Sequence, residues 1–66
     1  MKNKIAQYRK EKSLSQERLA HMLKVSRQTV ISIEKDRYSP SLPLAFQLAK
    51  IFEVSIEELF IYEEEE

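Results

Sequence analysis

The chain has 66 residues, 42% of them hydrophobic and 33% charged, with no cysteine and no glycine. Such a length allows one domain that hides only roughly 60% of its unfolded surface, too little for a catalytic cleft on a separate scaffold, and the lack of cysteine excludes disulfides and thiolate metal sites. The formal net charge is zero, yet residues 1–50 carry all eleven Lys and Arg against four acids while residues 51–66 carry seven acids and no base; this division suits either a cationic face for an anionic polymer or ordinary solvated helix faces followed by an acidic tail.

The opening Met1-Lys2-Asn3-Lys4-Ile5 lacks the apolar stretch of a signal peptide, and no run approaches the roughly 20 apolar residues of a membrane span. A cytoplasmic chain without membrane contact is therefore expected. Apolar residues recur at helical spacing with no strand-like alternation before the last few residues, which predicts an all-α fold. The first helix is predicted over about Lys2 to Lys12, with Ile5 and Tyr8 or Arg9 on one stripe, and Ser13-Leu14-Ser15 breaks it. Ser15 can cap a second helix over Gln16 to Leu23, with Glu17 favourably near the positive end of its dipole and Leu19, Ala20 and Leu23 inward.

After the link Lys24-Val25, Ser26 offers a further cap and opens a third helix, from about Ser26 to Asp36, with Val30 and Ile33 inward. Two short helices joined so tightly must cross steeply, the geometry of a helix-turn-helix, with Val25 plugging the angle between them. Asp36-Arg37-Tyr38-Ser39-Pro40 forms a polar loop, because the residue before proline is pushed from helical dihedrals. Ser41 then caps a fourth helix that tolerates Pro43 in its first turn and lays Leu42, Ala45, Leu48, Ala49 and Phe52 along one stripe. Ser55 and Glu58 form a capping box for a fifth helix, Ile56 to about Leu59. Phe60-Ile61-Tyr62 and four glutamates follow, so the domain is placed at residues 1–62 and a solvated acidic tail, turned away from any anionic partner, at residues 63–66.

The segment Ser15-Gln16-Glu17-Arg18-Leu19-Ala20, with Leu23-Lys24-Val25-Ser26-Arg27-Gln28-Thr29-Val30 and Ile33-Glu34, resembles the phage repressor and Cro family of helix-turn-helix transcriptional regulators. The likeness runs on through Pro40-Ser41-Leu42 and covers about residues 4 to 60. It implies a compact five-helix DNA-binding domain whose third helix is the recognition helix. Relatives of this length also add short terminal strands that build a dimer, so Phe60 to Glu63 can pair with Lys2 to Lys4.

The residues agree with that implication. Arg27, Gln28, Ile31 and Ser32 share the face opposite Val30 and Ile33. Arg27 suits a bidentate contact with guanine and Gln28 one with adenine, each contributing roughly 1–3 kcal/mol of discrimination. In the family, the positions matching Arg27, Gln28 and Ser32 carry much of the base reading. Ile31 either touches a thymine methyl or packs against another helix. The resemblance places Gln16 on a phosphate, where it also braces the first recognition-helix residues. Backbone N–H groups at the Ser15, Ser26 and Ser41 caps are further anion sites, and Thr29 joins them as a backbone contact. Lys35, Arg37 and Tyr38 either follow the sugar-phosphate backbone or remain solvated loop residues.

Arg9 and Glu34 match a family pair that forms a salt bridge between the first and third helices. The chain departs from the family at Lys24, where glycine is common because the turn needs a left-handed backbone; a lysine there costs about 1 kcal/mol.

One recognition helix reads few base pairs, whereas a twofold pair reads half-sites about 34 Å apart. A homodimer on double-stranded DNA is thus the expected working form. Phe60, Ile61 and Tyr62, helped by Leu44, Phe46 or Ile51, either build its interface or close the protomer's own core. His21 is the only histidine, and no residue constellation argues for a metal, a cofactor, a small-molecule effector or an enzyme activity. The expected function is a sequence-specific regulator, acting as a repressor on palindromic operators. The competing reading is an antitoxin-type interaction module that binds DNA only to control its own expression.

Overall fold

The computed structural model describes residues 2–62; the acidic tail at 63–66 lies outside the described residues. Strand β1 (Lys2–Asn3) precedes helices α1 (Ile5–Glu11), α2 (Gln16–Leu23), α3 (Arg27–Glu34), α4 (Leu42–Phe52) and α5 (Ile56–Leu59), and strand β2 (Phe60–Ile61) follows them. The two strands pair antiparallel, Lys2 opposite Ile61 and Asn3 opposite Phe60, which joins the two ends of one chain. The fold is thus mostly helical, with a two-stranded terminal sheet.

Serine caps set four of the five helix starts. Ser15, Ser26, Ser41 and Ser55 each have extended backbone, and each side chain accepts the N–H three residues on. Each thereby satisfies one of the donors that a helix start leaves open. At Ser55 the bond is reciprocal, since Glu58 Oε1 accepts the Ser55 N–H at 2.9 Å. The first helix starts later than its periodicity predicts. Asn3 Oδ1 accepts the Ile5 N–H at 3.0 Å, and Lys2 and Asn3 are drawn into the sheet with β2.

The helix ends follow one pattern without any glycine. Ser13, Lys24, Asp36 and Glu53 all take positive φ, between 56° and 61°. After each, the next N–H reaches back to a carbonyl five residues earlier: Leu14 to Arg9, Val25 to Ala20, Arg37 to Ser32 and Val54 to Ala49. These are Schellman turns, which absorb open carbonyls at a helix end. Leu14, Val25 and Val54 then pack against the core, which anchors three of the four turns. Helix α3 accordingly stops at Glu34, not Asp36, because Asp36 has left the helical region to form the turn.

Each helix delivers at least one nearly inaccessible side chain to a single core: Ile5, Leu19, Val30 with Ile33, Leu48, and Leu59. Tyr8 stacks on Phe52 with ring centroids 5.9 Å apart, tying α1 to the end of α4. Leu42 departs from its expected place in the core stripe. It is the first residue of α4 and stays 63% exposed.

The left-handed residues carry a cost that glycine would remove. A side chain in this region costs roughly 1–2 kcal/mol, against which glycine loses up to about 1 kcal/mol through a freer unfolded chain. Lys24→Gly is therefore expected to stabilise the domain by about 0.5–1 kcal/mol, read in thermal unfolding as a midpoint a few degrees higher. An unchanged or lower midpoint would contradict this account of the turn.

Candidate nucleic-acid interface

Helices α2 and α3 cross at the Lys24-Val25-Ser26 link, where Lys24 supplies the left-handed residue and Val25 is half-buried against the core. Val30 and Ile33 fix the inner face of α3. On the other side Arg27 and Gln28 are exposed, while Ile31 and Ser32 are half-buried. Helix α3 therefore presents a polar strip to solvent from a rigid base.

A polar hub holds that base. Arg9 Nε donates to Glu34 Oε2 at 2.6 Å, Arg9 Nη2 reaches Glu34 Oε1 at 3.4 Å, and Arg9 Nη1 donates to the Leu14 carbonyl at 2.8 Å. Gln16 Nε2 also donates to Glu34 Oε1, at 3.0 Å. One carboxylate thus binds α1, the start of α2 and the end of α3. The Arg9 and Glu34 side chains are only 11% and 7% exposed, so water screens the pair weakly. Gln16 in this structure braces the last residue of α3, whereas the family likeness puts its bracing at the first ones.

The other nominated residues fall into two groups. Ser26, Gln28, Thr29, Ser32 and Tyr38 line one shallow depression of about 220 Å³ beside α3. Ser26 Oγ and Thr29 Oγ1 lie 2.9 Å apart within hydrogen-bond range, and Ser26 Oγ also accepts the Thr29 N–H at 3.1 Å. Arg27 and Ile31 are not part of that depression. Lys35 and Arg37 are exposed beyond the end of α3, and Ser15 and Ser41 are exposed at their helix starts.

Phe60 packs partly against the protomer's own core, whereas Ile61 and Tyr62 remain 38% and 75% exposed. Leu44 and Ile51 are half-buried, and Phe46 is 57% exposed. An apolar groove of about 280 Å³ runs between the loop after α3 and the terminal sheet, with Tyr38, Pro40, Leu42, Ala45 and Phe60 among its walls. Asn3 also lines it, a residue that the sequence places only within the Lys2–Lys4 segment expected to pair as a strand. Its Nδ2 donates to the Ile33 carbonyl at 2.9 Å. The available signal was the habit of Asn side chains of bonding nearby backbone just ahead of a helix.

Two short capped helices crossing at a tight turn, with the second offering an open polar face, define a helix-turn-helix DNA-binding domain. The Helix-turn-helix family model matches residues 5–59. An uncharacterized HTH-type transcriptional regulator of Methanocaldococcus jannaschii is 59% identical over 66 residues, covering 100% of each chain. A second, from Archaeoglobus fulgidus, is 41% identical over all of this chain and 93% of its own length. The Bacillus subtilis HTH-type transcriptional regulator YgzD is 46% identical over 98% of both chains. The chain belongs to the Cro/C1-type helix-turn-helix family of transcriptional regulators. Its class is that of DNA-binding regulators, not enzymes. Among the described residues no helix is long and apolar enough to cross a membrane.

Removing Glu34 would leave the Arg9 guanidinium and the Gln16 amide without their shared acceptor. Glu34→Ala is expected to cost about 3 kcal/mol in urea unfolding, and Glu34→Gln, which keeps an acceptor oxygen, clearly less. A Glu34→Ala midpoint equal to that of wild type would remove the hub from the account.

Proposed function

We propose that this regulator acts as a repressor, binding palindromic operator DNA as a homodimer. The observation that carries the reading is the two-sided recognition helix. Val30, Ile33 and Glu34 anchor one side, and Arg27 and Gln28, with Ile31 and Ser32 beside them, are offered on the other. Arg27 suits the acceptor pair of guanine and Gln28 the acceptor and donor of adenine, while Ser32 can pair with either and Ile31 can meet a thymine methyl.

The surrounding groups would position the helix without reading sequence. Backbone N–H groups at the Ser15, Ser26 and Ser41 caps, the side chains of Gln16 and Thr29, and Lys35, Arg37 and Tyr38 in the following loop are suited to phosphates. The shared depression brings Ser26, Thr29 and Tyr38 of this group beside Gln28 and Ser32 of the base-facing strip.

Dimerisation rests on the exposed apolar residues. Ile61 and Tyr62 extend from the terminal sheet, and Leu42 and Phe46, one helical turn apart, share a face of α4. Phe60 is part of each protomer's own packing. Two copies related by a twofold axis would place their recognition helices on half-sites about one helical turn apart.

Binding should be strongly salt dependent. A dimer that neutralises about six to eight phosphates loses roughly a thousandfold or more in affinity between 50 and 200 mM salt. Arg37→Ala should weaken binding to all sequences and lower the salt slope by about 2, one contact from each protomer, whereas Arg27→Ala should relax preference at one base pair of each half-site by about 1–3 kcal/mol. Ile31→Ala should relax preference at a thymine. Fluorescence titrations of wild type and variants on matched DNA sites would check all three, and equal effects of Arg27→Ala and Arg37→Ala on every sequence would overturn the assignment of roles.

The pairing has its own test. Sedimentation at micromolar concentration should show a dimer that Tyr62→Ala shifts towards monomer. A wild-type monomer under those conditions would argue against the homodimer.

A further inference from the structure

Asn3 connects two parts of the molecule that lie far apart in sequence. It sits in β1 opposite Phe60, and its Oδ1 accepts the Ile5 N–H at 3.0 Å, so the terminal sheet and the start of α1 hold it in place. Its Nδ2 donates at 2.9 Å to the carbonyl of Ile33, in the last turn of the recognition helix. The same carbonyl accepts the Asp36 N–H at 3.0 Å, the bond that closes the left-handed turn leading into the loop. Both lone pairs of that oxygen are thus engaged.

The turn after α3 differs from the other three helix ends. Leu14, Val25 and Val54 anchor theirs by packing on the core, but the corresponding residue here is Arg37, which is exposed. Helix α3 has only eight residues and no basic residue in its last turn to favour its negative end. A helix so short depends on tertiary contacts to hold its ends. The amide of Asn3 supplies such a contact where an apolar anchor is missing. Asn3 and Tyr38 also line the same groove, so the side chain stands beside the loop as well as beneath it.

The geometry points to Asn3 as a positioning residue for DNA binding: by bracing the end of the recognition helix from the terminal sheet, it fixes where Arg37 and Tyr38 meet the sugar-phosphate backbone. This rests on the reading of Arg37 and Tyr38 as backbone contacts. It also makes DNA affinity sensitive to the order of the sheet, the element from which Ile61 and Tyr62 extend.

Three variants separate bracing from general stability. Asn3→Asp keeps the acceptor for Ile5 but loses the donor to Ile33; Asn3→Ala loses both without adding charge. Phe52→Leu loosens the core at the far end of α4 from the groove and serves as the stability control. Without DNA, amide hydrogen exchange at Asp36 and Arg37 should quicken by about tenfold in both Asn3 variants and stay near wild type in Phe52→Leu. On a DNA site bound by wild type, at a temperature where circular dichroism shows every variant folded, both Asn3 variants should bind about tenfold more weakly and Phe52→Leu within about twofold.

Arg37→Ala supplies the readout that a purely structural role would not move. Its effect on affinity should largely vanish in the Asn3→Ala background, since the two act on one contact. Additive effects, unchanged exchange, or faster exchange with unaltered affinity would each overturn the role of Asn3 while leaving DNA binding intact. A wild-type protein that binds no sequence in a random DNA pool would instead overturn the DNA-binding account, and the positioning role with it.

Discussion

The carboxylate of Glu34 is the point on which the orientation of the helix-turn-helix depends. It receives Arg9 from α1 and Gln16 from α2, while Arg9 reaches on to the Leu14 carbonyl between those helices. A buried ion pair gains little net stability over a well-packed apolar pair, because both charges lose their water. Its contribution here is directional. Apolar side chains such as Val30 and Ile33 tolerate small rotations of α3, but a guanidinium donating at 2.6 Å does not. The open face of α3 is therefore aimed by the polar hub and held down by the core.

Around that hub, the chain builds helices whose ends are closed by side chains and turns instead of glycine. Four serines close the starts, and four left-handed residues close the ends. This explains how the described residues, 2–62, hold five helices and a sheet on a core of about a dozen apolar side chains. Short helices have little stability of their own, so caps and turns that satisfy their end groups count for more than in a larger domain.

Much of this was legible in the sequence because it is local. Serine followed three residues later by a helix interior marks a cap, and spacings such as Ala45-Leu48-Ala49-Phe52 mark a buried stripe. The left-handed turn at Lys24 was legible only through the family likeness. Ser13 and Glu53 carry no residue signal for positive φ, and Asp36 only the modest preference of an aspartate, which is why α3 reads two residues too long. The pairing of Lys2 and Asn3 with Ile61 and Phe60 is non-local, so helical periodicity alone runs α1 through β1. Leu42 fits the stripe by spacing but lies at its end, where no neighbour covers it. In the candidate site, the two faces of α3 follow from periodicity, whereas the bonds of Gln16 to Glu34 and of Asn3 to Ile33 depend on how the helices pack.

The zero net charge conceals a division that suits the proposed function, with all eleven bases within residues 1–50 and seven of the eleven acids in the last 16 residues. On the proposed function, the face of α3 aimed by Glu34 reads DNA sequence in twofold pairs. Selection from a random double-stranded DNA pool tests it most directly. The recovered pool should be enriched in a twofold-symmetric site whose half-sites are centred about 10 base pairs apart. A recovered pool with no common sequence, or with a single unpaired half-site, would contradict it.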